Sequence, residues 1–202
     1  MTNKLYLLGD KKCLEYPTVC VVGSRRMSEY GERQTRIFVR GLVEAGYCIV
    51  SGLARGVDRV AHEACLSAGR WPGVGGRTIA VLAHGLDQCY PPEHEELKNR
   101  ILDNGGLLVS QYGEGVEAQK EHFRARNYVM VKLSEVILVM ESERQSGTKI
   151  TVGHAAELGK TVYVVPGPVD HKSYHGSVEI IRDGGVPVYS VQDMLEMIKS
   201  GI

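Results

Sequence analysis

Four apolar runs in this sequence each end in residues suited to holding an anion. Val19-Cys20-Val21-Val22 leads into Gly23-Ser24-Arg25-Arg26, and Cys48-Ile49-Val50 leads into Ser51-Gly52-Leu53-Ala54-Arg55-Gly56. Val136-Ile137-Leu138-Val139 leads into a loop that closes with Ser146-Gly147-Thr148, and Val162-Tyr163-Val164-Val165 into Pro166-Gly167. Glycine lets a backbone approach a ligand closely, serine and threonine supply hydroxyl donors, and arginine presents a planar cation that matches phosphate oxygens. Such turns bind anions when they stand along the carboxyl edge of a parallel sheet, where helix N-termini converge. Arg126-Asn127 sit in an otherwise apolar helical run with Phe123, Val129, Met130 and Leu133, and are expected to project into the same cleft. The expected ligand is a phosphate, free or in a nucleic acid backbone.

The elements that would position these turns alternate along the chain. Helical periodicity predicts helices over about 28–45, 56–68, 93–103, 122–133, 148–158, 175–183 and 191–199, with strands between them at about 18–22, 48–50, 77–82, 107–110, 135–140 and 161–165. This alternation implies an α/β fold of three layers, a mainly parallel sheet with helices on both faces. Pro72-Gly73-Val74-Gly75-Gly76 reads as a surface loop and 112–121 as a second one. No dinucleotide fingerprint follows the first strand, which argues against NAD chemistry.

Composition bounds the partners. The 202 residues, 43% of them hydrophobic, suffice for one sizeable core, and one domain spanning 1–202 is expected. Lys plus Arg and Asp plus Glu both number 24, so any polyanion site must be local. The five cysteines lack metal-ligand spacing, and no metal site or disulfide framework is expected. Leu5-Tyr6-Leu7-Leu8 is too brief for a signal peptide and no run is long enough to span a bilayer, so a cytoplasmic protein without a membrane partner is expected. Arg33, Arg36 and Arg40 stand four residues from Glu29, Glu32 and Glu44 and read as a solvated face. Asp58 and His62 read as a buried, orienting pair; Glu93, Glu95 and Glu96 favour a helix start but would repel a nearby polyanion.

Taken in order, V-V-G-S-R at 21–25, S-G-L-A-R-G-V-D at 51–58, T-I-A-V-L at 78–82, Tyr90-Pro91, Phe123 with Arg126-Asn127, Glu141, S-G-T at 146–148 and Pro166-Gly167 resemble the DNA-processing protein A family, also called DprA or Smf. The resemblance covers roughly residues 5–185. It implies an extended Rossmann-like fold and a cofactor-free, non-enzymatic protein that binds single-stranded DNA, forms a homodimer and helps load a RecA-type recombinase during DNA uptake and recombination. Relatives often carry a helical N-terminal domain and a C-terminal winged helix, and the chain is expected to be the bare core domain without either. Dimerisation is expected near Val186 to Val188.

The departures concern charge. Pro92-Glu93 stands where the family commonly has a basic residue after Tyr-Pro, and Tyr128 stands where R-N-R would supply a second arginine. Each missing cation removes affinity through counterion release, although Tyr128 could stack on a base. A small-nucleotide sensor remains an alternative. A hydrolase is the lesser one, because Thr151 stands where nucleotide-processing relatives carry a catalytic glutamate and Glu141 and Glu143 precede the loop.

Overall fold

The computed structural model describes residues 4–68 and 76–201; residues 72–75 of the glycine-rich stretch lie outside the described residues. Eight strands form one sheet: β1 (Tyr6–Gly9), β2 (Thr18–Gly23), β3 (Cys48–Ser51), β4 (Thr78–Leu82), β5 (Leu107–Ser110), β6 (Val136–Glu141), β7 (Val162–Val164) and β8 (Val186–Pro187). Their order is β1-β5-β4-β3-β2-β6-β7-β8. All neighbours run parallel except β1, which pairs antiparallel with β5. The fold expected from sequence is therefore the one observed.

Alternation along the central strands assigns one face to each helix layer. Val22, Val50, Val81, Val109, Val139 and Val164 pack beneath α4 (Lys120–Lys132), α5 (Thr148–Glu157) and α6 (His175–Arg182) through Val129, Met130, Ala155 and Ile180. Val21, Ile49, Leu138, Met140 and Tyr163 face the opposite layer, where α1 (Glu29–Glu44), α2 (Val57–Ala68) and α7 (Val191–Ser200) contribute Phe38, Leu42, Ala61 and Met194. On that same side α3 (Glu95–Asp103) covers β4 and β5 with Leu97 and Ile101.

Boundaries move where local chemistry decides them. Ser28 caps α1 by accepting the Gly31 N–H, so the helix proper starts at Glu29. Pro92–His94 forms a separate 3-10 turn ahead of α3. The segment 112–119 is irregular, but its Gly115 and Val116 are tied to Asp87 and Gly85. The Arg36–Glu32 and Arg40–Glu44 pairs form at 2.7 and 2.8 Å on an exposed helix face, as expected.

Asp58 and His62 are both buried, but they do not pair with each other. His62 Nδ1 lies 2.7 Å from Thr78 Oγ1, whose hydroxyl donates to Ile49 O at 2.8 Å. Nδ1 must therefore carry the proton, and Nε2 has no partner among the described residues. Burial, with help from His94 and Arg126 nearby, pushes the His62 pKa down to about 3. The ring is protonated near pH 6.5 when unfolded but only near pH 3 when folded, so the unfolded state binds the extra proton between those values. Stability should fall with falling pH in that window, by at most about 1.4 kcal/mol per pH unit from this group. Urea unfolding from pH 7 to pH 4 should reveal the slope, and His62→Leu should flatten it.

Candidate functional site

The chain runs from β2 outward through β3, β4 and β5, then returns to β6 on the other side of β2. Two connections thus leave adjacent strands for opposite faces: α1 follows β2, and α5 follows β6. Open α/β sheets form their ligand crevice at such a divide. Here it brings Gly23-Ser24-Arg25 beside Ser146-Gly147-Thr148 around two adjoining hollows of about 420 and 200 Å3.

The close approach of these turns depends on residue size. A Cβ at Gly23 would stand 2.6 Å from Val57 Cγ2, so β2 and α2 meet only across a glycine. The Ser24 N–H donates to Glu141 O at 2.9 Å, locking the β2 turn to the end of β6. Ser24 Oγ accepts the Arg26 N–H at 3.1 Å. Across the hollow, the Ser146 hydroxyl accepts the Thr148 N–H at 3.2 Å and donates to Thr148 Oγ1 at 3.0 Å. Ser146 thus spends its hydroxyl within its own turn, just ahead of Gly147 at the N-cap of α5. Thr148 Oγ1 keeps its own proton available for an anion, since no acceptor for it occurs among the described residues.

Arg126 forms the floor. Its side chain is 4% exposed and its Nη1 donates to Val81 O at 3.2 Å, while Asp58 Oδ2 stands 3.8 Å away. Its Nε has no partner among the described residues. Burial pushes the guanidinium below its ordinary pKa, with Asp58 opposing and Arg25 reinforcing that shift; burial likewise raises the Asp58 carboxyl. Phe123 lies between two cations, its ring centroid 5.1 Å from Arg25 Cζ and 5.8 Å from Arg126 Cζ, and Tyr90 packs against its edge at 5.6 Å. Asn127 lines the same hollow, joined by Lys120 and Arg124. Sequence reasoning missed these last two: Lys120 fell outside a helix started at 122, and Arg124 fell inside it but was not placed on the cleft-facing side. Lys120, Phe123, Arg124 and Asn127 repeat at one-turn spacing, and that spacing would have put them on one helix face.

The remaining expected residues occupy supporting or peripheral places. Ser51 is fully buried and donates to Val21 O at 2.8 Å. Gly52 sits behind Arg126, where a Cβ would fall on the guanidinium. Leu53 adopts φ 56°, an uncommon angle for a branched residue, and is held by its complete burial and by His94 Nδ1, 2.8 Å from its carbonyl. Gly56 has φ 72° and passes against the Ser24-Arg25 backbone. Arg55 turns away from the hollows and pairs with Glu93 at 2.6 Å, both side chains about half exposed. Pro166 accepts the Tyr30 hydroxyl at 3.1 Å, and a Cβ on Gly167 would enter the Tyr174 ring, so this turn serves packing under β7. Glu141 is fully buried; its carboxylate accepts the Ser28 N–H and hydroxyl and fixes the start of α1.

No group of acidic, histidine or cysteine side chains among the described residues could hold a metal ion. The described cysteines are all free. No helix among the described residues is long and apolar enough to cross a membrane.

A family model described as DNA recombination-mediator protein A matches residues 2–199. The chain is 39% identical over 195 residues to protein Smf of Synechocystis sp., covering 95% of this chain and 47% of that protein. It spans about half the length of the curated relatives it matches. The X-ray structure of DNA processing protein A from Streptococcus pneumoniae is similar with a TM-score of 0.87 and 37% identity, over 95% of this chain and 65% of that one. DNA processing protein A from Helicobacter pylori, solved to examine its single-stranded DNA binding mode, is similar with a TM-score of 0.87 and 29% identity, over 98% and 88% of the two chains.

Proposed function

Because this chain belongs to the DNA recombination-mediator protein A family, we propose that the cleft between β2 and β6 binds the phosphate backbone of single-stranded DNA. Arg126 carries this reading: a guanidinium buried beneath a hollow, with an N–H that has no acceptor among the described residues, is suited to an anionic ligand. Arg25, Lys120 and Arg124 surround it, which concentrates positive charge locally in a chain of no net charge. Phe123 holds the Arg25 and Arg126 guanidiniums against its ring and so keeps two cations at the cleft.

In this reading the protein is a cytoplasmic DNA-binding protein rather than an enzyme. Glu141 supports that choice, because its carboxylate is committed to the start of α1 and is withheld from the cleft. It acts as a homodimer and delivers the strand to a RecA-type recombinase in DNA uptake and recombination. Val188 is fully buried, so an interface at the β8 end would use its exposed chain neighbour Tyr189 instead.

The test is fluorescence anisotropy of a labelled single strand, with duplex beside it, at low and at physiological salt. The strand should bind tightly, in preference to duplex and with marked salt sensitivity. Arg25→Ala should weaken binding for every sequence and lower the salt slope by about 0.7, the amount expected when one phosphate of a single strand is no longer neutralised. Absent binding even at low salt, together with a melting temperature raised by a mononucleotide, would instead assign the cleft to a small nucleotide.

A further inference from the structure

His84 follows the end of β4 and meets two backbone groups whose roles are fixed. Its Nε2 accepts the Tyr90 N–H at 3.1 Å, and its Nδ1 lies 2.9 Å from Gly85 O. A backbone N–H can only donate and a carbonyl can only accept, so the ring is neutral with its proton on Nδ1. Burial, aided by Lys98 of α3 and Arg126 of α4, lowers its pKa against the Gly85 bond and Asp87, in keeping with a neutral ring. The loop that this ring spans is held at its other points as well. The Gly85 N–H donates to Val116 O at 2.8 Å, and the Lys98 ammonium donates to Gln88 O at 2.9 Å. His84 supplies the bond that closes the loop at Tyr90.

What the closed loop presents is the Tyr90 side chain. Its ring is 42% exposed and meets Phe123 edge-on, with centroids 5.6 Å apart and planes at 63°. Few packing contacts restrain a ring so exposed, so its backbone anchor decides where it lies. Phe123 in turn has Arg25 Cζ 5.1 Å from its centroid. The contacts therefore run from His84 to Tyr90, to Phe123 and to Arg25. We infer that His84 is a positioning residue for the strand-binding cleft: by accepting the Tyr90 N–H it keeps the Tyr90 ring against Phe123, and so keeps Phe123 under the Arg25 guanidinium. This inference rests on the single-stranded DNA reading of the cleft and adds to it a residue outside both hollows.

The experiment measures anisotropy of a labelled oligothymidylate with the unaltered protein, His84→Leu, His84→Gln, Tyr90→Ala, and Tyr90→Ala combined with His84→Leu. His84→Leu removes the acceptor and should weaken binding about threefold to tenfold, the span of one aromatic contact. His84→Gln offers a carbonyl oxygen to the same N–H and should stay within about twofold of the unaltered protein. Tyr90→Ala should weaken binding about as much as His84→Leu, and adding His84→Leu to it should cost less than about twofold more, because the ring to be positioned is gone. A general loss of structure would lower affinity in both backgrounds. Unchanged affinity in His84→Leu or in Tyr90→Ala, a loss in His84→Gln as large as in His84→Leu, or a full further loss in the double variant would overturn the inference and leave the backbone reading standing. If His84→Leu does not fold, Tyr90→Ala and His84→Gln still decide by the same outcomes. Failure of the unaltered protein to bind would overturn both.

Discussion

Arg126→Met will lose both the proposed DNA-binding cleft and much of the protein's stability. The pair it breaks is almost wholly out of water, with side-chain exposures of 4% for Arg126 and 10% for Asp58 at a separation of 3.8 Å. Removing one partner strands the other charge in the interior, which typically costs about 3–5 kcal/mol. Urea unfolding near neutral pH should register a loss of that order. A second variant separates the two effects. Arg126→Met combined with Asp58→Asn removes both charges, so most of the stability should return, because paired replacement by neutral groups is often close to neutral. Oligonucleotide binding should remain absent in the double variant, since the floor of the cleft no longer carries a guanidinium. Binding that returned with stability would place the phosphate elsewhere.

Gly52→Ala and Gly147→Ala should have opposite outcomes although both glycines belong to turns at the same sheet edge. A methyl at Gly52 would occupy the site of the Arg126 guanidinium and stand 2.7 Å from Asp58 Oδ2. The arginine must leave its place between Val81 O and Asp58, and overpacking of this kind costs about 1–3 kcal/mol. Affinity should drop with it, because the displaced guanidinium no longer forms the floor of the hollow. At Gly147 nothing lies within 4 Å of the added Cβ, and φ is −59°, an ordinary helical value. Stability should change there by less than about 1 kcal/mol, with a small gain expected from reduced freedom of the unfolded chain. Melting curves and anisotropy on the two variants together provide the check.

The parts of the fold visible in the sequence were those governed by repetition. Strands such as Val136 to Val139 are continuous apolar runs buried on both faces, and α1 has a regular apolar stripe; both signals survive without tertiary information. β1 was not visible in this way, because Tyr6–Gly9 is four residues long and pairs with β5, which lies about a hundred positions along the chain. The site was visible in its turns but not in its orientations. Arg25 and Arg55 each follow a strand and look equivalent in the sequence, yet one stacks on Phe123 while the other is drawn off by Glu93. That difference depends on the 3-10 turn at Pro92–His94, which brings Glu93 to Arg55. Pro166-Gly167 likewise reads as a phosphate turn until Tyr30 and Tyr174 are seen to pack against it.

The bond between Glu141 and Ser28 also decides when the site comes into being. Ser28 and Glu141 are separated by 113 positions, and the same join sets Ser24 against the end of β6. Arg25 is made early on the ribosome, and Arg126 and the Ser146–Thr148 turn much later. A nascent chain ending before β6 therefore carries all four cations, Arg25, Lys120, Arg124 and Arg126, but lacks the strand and the Ser146–Thr148 turn that close the proposed cleft around them. Cutting within 112–119 would separate Arg25 from Arg126 and from the Ser146–Thr148 turn, so the proposed cleft would form only when the two pieces reassociate. The site is a property of the closed sheet, and no fragment inherits a share of it.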